Sequence, residues 1–141
     1  MFKTIAFISF AIFAVLSLAC GSGSNSASAG KPIKSGPAGN NLTVTISNSD
    51  GVLRNGDQTF NVTFADASGK PVDVGAASLN FFMPAMGSMA AMNNPAALTT
   101  TGTPGVYSGK ADIEMAGEWQ AQVAYDGPAG KGKATLPITA Q

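Results

Sequence analysis

Histidine does not occur in this chain of 141 residues. Its absence removes the commonest general base and the commonest metal ligand together. Cysteine occurs once, at position 20, so no intrachain disulfide can form and stability has to come from packing. Charge is scarce: 11% of residues carry it, eight basic against eight acidic, for a formal sum of zero. No polybasic run offers a footprint for nucleic acid or an anionic bilayer, and no acidic tail suits a basic partner. Catalysis through a nucleophile needs that group and a base held together. With no His and no thiol beyond residue 20, only scattered Ser, Lys and carboxylates remain, and no motif groups them. An enzyme is therefore not expected. An amphipathic helix of useful length is also missing.

What is present begins with an apolar leader. Lys3 supplies a short positive start, and Thr4 to Ala19 are almost wholly apolar. That length suits the hydrophobic region of a signal peptide and is short for a membrane span. The run ends in Ser17-Leu18-Ala19-Cys20-Gly21, which resembles a bacterial lipobox. The resemblance implies cleavage after residue 19, lipidation of Cys20 and anchoring in the bacterial envelope, at the outer membrane facing the periplasm. Residues 21–40 (GSGSNSASAGKPIKSGPAGN) are small, polar or Gly/Pro, with Ile33 the one sizeable apolar side chain. Such a composition buries too little surface to offset its ordering entropy. Residues 20–40 are therefore expected to be a flexible tether, and random-coil scaling of roughly twenty residues gives a reach of about 25 Å.

From Asn41 to Gln141 the pattern turns to period two. Leu42, Val44 and Ile46 alternate with polar residues, as do Phe60, Val62 and Phe64. Leu79, Phe81 and Met83 share a face; Tyr107, Ala111 and Ile113 share another, continued by Met115. Trp119, Ala121, Val123 and Tyr125 follow, then Ala134, Leu136 and Ile138. Each run reads as a half-buried strand. Clusters rich in Gly, Asn, Asp and Pro separate them. The expected fold is all-β: an immunoglobulin-like antiparallel β-sandwich of about seven short strands. Pro137 within the last strand predicts an edge position, because Pro cannot donate to a central ladder. Phe60, Phe64, Phe81, Tyr107 and Trp119 should supply much of the core, each burial stabilising by roughly 1.5–3 kcal/mol. Asp57, Asp66 and Asp73 lie near turns, where turn chemistry explains them, since no D-x-D-x-D-G loop is present.

Five stretches together resemble the YtkA-like domain family, which is related to FixH-like proteins. They are GVLRNGDQTFNVTF (51–64), DASGKPV (66–72), LNFFMPAMG (79–87), GVYSG (105–109) and AGEWQAQV (116–123). The resemblance covers roughly residues 41–140, with M-P-x-M-G and the downstream G-x-W its most specific parts. It implies a small exported or membrane-anchored β-sandwich that accompanies copper handling, heavy-metal efflux or respiratory oxidase assembly. Many relatives carry His just after M-x-x-M-G where this chain has Ser88, which speaks against a mixed Met/His site.

The most unusual feature is Met83, Met86, Met89 and Met92, four of the six methionines, spaced every third residue. Thioethers are soft and neutral; they suit Cu(I) and Ag(I) and bind zinc, calcium or magnesium poorly. Pro84 and Gly87 disfavour an α-helix, and Asn93-Asn94-Pro95 is expected to end the segment. In a loop of this kind Met86, Met89 and Met92, with Met83, would converge on a soft ion. Two other readings stand beside it. Met is an adaptable core filler, and Met83 and Met115 fit that role. A flexible Met-rich surface also suits docking onto a protein partner, such as an efflux pump or an oxidase-assembly complex.

Overall fold

The computed structural model describes residues 30–141. The leader of residues 1–19, Cys20 and the first part of the tether segment lie outside the described residues. Eight strands follow one another: β1 (Lys31–Gly39), β2 (Leu42–Asn48), β3 (Gly56–Ala65), β4 (Ala76–Met83), β5 (Met92–Thr100), β6 (Val106–Ile113), β7 (Gly117–Gly127) and β8 (Gly130–Ala140). They form one antiparallel sheet in the order β1-β2-β3-β6-β5-β4-β7-β8. The sheet folds over at β5, giving an all-β sandwich that approaches a closed barrel. β8 pairs only with β7, so Pro137 does lie on an edge.

The alternation reads directly into the core. Phe60, Phe64, Phe81, Tyr107 and Trp119 are all buried, together with Val44, Ile46, Val62, Leu79, Val123, Leu136 and Ile138. The aromatic rings meet edge-on: Phe60 with Phe81 at 5.7 Å, Phe64 with Tyr125 at 5.4 Å and Phe64 with Tyr107 at 5.9 Å. That geometry places the positive rim of one ring on the negative face of the next. Two rings need a glycine opposite them. Phe60 lies over its cross-strand partner Gly109 and Tyr125 over Gly132, so closely that a Cβ at either glycine would overlap the ring.

Two segments depart from the sequence-based expectation. Residues 31–39, expected within the tether, are a strand. β1 pairs with β2 from Lys31↔Asn48 to Gly39↔Leu42, and only its Ala38 is buried. Backbone pairing holds it, a force that apolar content does not register. Its two prolines are accommodated beside register shifts, between Pro32 and Lys34 and between Pro37 and Gly39. The boundary expected at Asn41 falls inside a tight hairpin turn. Asn40 (φ 52°) and Asn41 (φ 58°) are both left-handed, the signature of a type I′ turn, which asparagine tolerates.

The second departure is β5. Asn93-Asn94-Pro95 does not end a loop but lies within this strand. β5 pairs with β4 through Ala96 and with β6 from Ala97 onward. Pro95 thus stands where the strand changes partners, a place where a missing N–H is tolerated. Asn94 bridges the gap: its side-chain amide donates to the Asp112 carbonyl of β6.

The open edges of β1 and β8 approach each other, and β8 is held at one end by the β1–β2 turn and at the other by the β2–β3 connection. At one, Asn40 Nδ2 donates to the Lys131 carbonyl (3.1 Å) and to Tyr125 Oη (3.0 Å). At the other, Gln141 N donates to the Leu53 carbonyl (2.9 Å) and Asn55 N to the Gln141 carbonyl (3.0 Å). The β3–β4 connection is fixed by carboxylates. Asp66 Oδ1 accepts from Ser68 N, Ser68 Oγ and Lys70 N, and Asp73 Oδ1 accepts from Gly75 N. The bond from the Ser68 hydroxyl, helped by Lys70, holds the Asp66 carboxyl below its usual range. These aspartates act in turns, as their spacing suggested.

Each strand runs opposite to the one before it. Lys31, Gly56, Met83, Met92, Ile113, Gly117 and Ala140 therefore lie at one end of the sandwich. The turns at Asn40-Asn41 and Pro128-Ala129 lie at the other.

Candidate functional site

The methionine segment is a β-hairpin. The β4–β5 pairing runs through Leu79↔Ala96, Phe81↔Asn94 and Met83↔Met92. The same register resumes beyond the strands, where Met86 and Met89 form an isolated antiparallel bridge. Met86 N donates to the Met89 carbonyl at 3.1 Å and Met89 N to the Met86 carbonyl at 2.9 Å. Gly87 and Ser88 make the two-residue turn between them. Gly87 takes φ 56° while Ser88 keeps a negative φ, the pattern of a type II′ turn with glycine in its first central position. Nothing lies within 4 Å of where a Gly87 Cβ would stand. The turn projects into open space.

The four methionines therefore fall into two cross-strand pairs. Met83 is 1% exposed and faces the core, and its partner Met92 is half-buried against the same core. Met86 and Met89 are 53% and 42% exposed, and they are the only exposed large hydrophobic residues among those described. Strand alternation turns the second pair to the other face of the hairpin from the first. The expected convergence of Met86, Met89 and Met92 in one loop does not occur, because Met92 belongs to β5. Direct cross-strand partners have Cβ atoms about 4.5–5.5 Å apart, so Met86 and Met89 present two thioethers side by side. A signal for this pairing was available in the sequence: Met-Gly-Ser-Met reads as a two-residue hairpin turn flanked by equivalent residues.

Behind the hairpin, Met115 lies in the β6–β7 connection and packs on the core. Trp119 Nε1 donates to its carbonyl at 3.0 Å. Tyr107 donates from Oη to the Gly75 carbonyl at 2.6 Å and so bolts β6 to the β3–β4 connection. Among the described residues no group of three or more His, Cys, Asp or Glu side chains could hold a metal ion. The donors gathered near the hairpin are thioethers, which fit a soft monovalent ion and not a hard divalent one.

An eight-stranded antiparallel sandwich with a projecting hairpin of paired methionines defines a small all-β domain with its distinctive chemistry on one loop. The chain belongs to the YtkA-like family, whose family model matches residues 38–124. No match was found among curated proteins.

Proposed function

We propose that this protein is a non-enzymatic accessory domain of the bacterial envelope, lipid-anchored at Cys20, that takes up Cu(I) or Ag(I) at the Met86–Met89 hairpin tip. The observation carrying this reading is the bridged, exposed pair of thioethers on a turn that nothing else covers. Two neutral sulfurs with free approach give a weak, accessible site. That suits a domain that receives a soft ion and passes it on, because thioethers hold no proton for the ion to displace and cannot be lost to disulfides. The leader and Cys20 motif support the envelope location.

The test is a Cu(I) titration of the full chain against a competing chelator under reducing conditions, in a Cys20→Ser background that removes the thiol. Met86→Leu/Met89→Leu should lose one equivalent of Cu(I) while keeping the fold, since Met-to-Leu exchange conserves volume. Unchanged stoichiometry and competition would sink the reading. Zn(II) should bind neither protein.

One observation favours a second reading. Met86 and Met89 are exposed apolar side chains at a protruding tip, which also suits docking on a membrane complex, an efflux pump or an oxidase-assembly protein. Leucine at both positions would preserve such docking and abolish soft-ion binding, so the same variant separates the two.

A further inference from the structure

We propose that Met83, Met92 and Met115, together with the indole face of Trp119, form a second, inner site for Cu(I) or Ag(I) at the methionine end of the sandwich. The inference shares the soft ion with the reading above but rests on a different donor set. It begins with register. Met83 pairs with Met92 on β5. On its other side, β4 pairs with β7 through Phe82↔Gln120, and the next step of that register sets Trp119 beside Met83. Trp119 in turn pairs with Ile138 of β8. Met92, Met83 and Trp119 thus occupy one inward-facing row across three strands.

Met115 joins them through the chain reversal into β7. The Met83 methyl lies against Gly117, 3.2 Å from where a Cβ would stand. Gly117 is two residues beyond Met115, whose carbonyl holds the Trp119 indole N–H. The proposed site would draw on three neutral thioethers and an aromatic face. A soft cation carrying one charge suits both: sulfur as ligand and the indole through its negative ring face. Met92 and Met115 are each half-buried, so both are in part open to solvent, and unbranched Met side chains can re-aim without moving the backbone.

Asn94 adds an independent mark. It is the next inward-facing residue along β5 after Met92 and is 7% exposed. Its Nδ2 is used by the Asp112 carbonyl, but its Oδ1 is buried without a hydrogen-bond partner. A buried acceptor with no donor calls for an unseen water or ion, and a hydrated cation beside Met92 would supply one.

Trp119 is the only tryptophan in the chain, so its fluorescence reports this site alone. The experiment titrates silver nitrate, in chloride-free buffer, into the full chain carrying Cys20→Ser. Saturable quenching at one equivalent is expected, with a rise in unfolding temperature. Met86→Leu/Met89→Leu should keep both responses. Met115→Leu alone and Met92→Leu/Met115→Leu should lose them, while near-ultraviolet circular dichroism of Trp119 shows the packing intact. A wild-type protein whose emission ignores Ag(I), or quenching that survives in both inner variants, would overturn the inner site. Quenching lost only in the hairpin-tip variant would overturn it too, leaving the tip reading in place. The reverse result, inner quenching with no Cu(I) lost at the tip, would retain this site and remove the other.

Discussion

Tyr107 shows how one side chain ties two parts of this fold. Its ring packs edge-on to Phe64 and its hydroxyl donates to the Gly75 carbonyl. Burial, reinforced by the nearby Asp73 carboxylate, raises the phenol above its ordinary value of 10.0. Folding therefore favours the neutral form. This contribution is fully present below the unfolded value and is lost as pH climbs through the higher folded one. Tyr107→Phe should cost about 1 kcal/mol near neutrality, the net worth of one hydrogen bond. It should also flatten the loss of stability that the wild type shows above about pH 10, the ordinary tyrosine range. Denaturant melts at pH 7 and at alkaline pH measure both, and a wild type no more alkali-sensitive than the variant would contradict the assignment. At this scale the core was legible, because Phe60, Phe64, Phe81 and Trp119 stand in period-two runs that only an inward face explains. The methionines were legible as unusual but not as paired. A spacing of three suggests one side of a three-residue turn, whereas the hairpin register counts from both strands toward Gly87-Ser88.

Among the elements, β1 and β5 escaped the sequence for different reasons. β1 has little apolar content, and its strand nature comes from the Asn40-Asn41 turn that lays it against β2. β5 carries Asn93, Asn94 and Pro95, residues that ordinarily break strands. It persists because the strand changes partners there and Asn94 replaces a ladder bond with its side chain. The other six strands alternate cleanly and were read correctly. A chain beginning at Asn41 should therefore be damaged although it discards only one fully buried side chain, Ala38. It would bare the outer edge of β2 and lose the Asn40 link to β8, leaving an unpaired edge prone to association. Thermal melting and size-exclusion chromatography should show a lower midpoint and larger species than a chain beginning at Gly30. Matching midpoints and elution would contradict the role given to β1.

Over the whole molecule, the direction of each strand decides what faces where. The described chain starts at the same end of the sandwich as the methionine hairpin. Ten residues separate that start from Cys20, the proposed point of lipidation, and span at most about 35 Å. An anchored molecule should hold its hairpin toward the bilayer. A fluorophore on Ser88→Cys should transfer energy to a labelled lipid more efficiently than one on Ser68→Cys, placed in the β3–β4 connection at the opposite end. Equal transfer, or more from position 68, would refute this orientation. Strand number works here as a parity bit. Seven reversals of direction between eight strands bring both ends of the described chain out beside the methionines. Without β1 the chain would enter at Leu42, on the opposite end, and the same anchor would hold the molecule upside down. The nine residues Lys31–Gly39 bury almost nothing, yet in an anchored molecule they would determine which way up the domain stands.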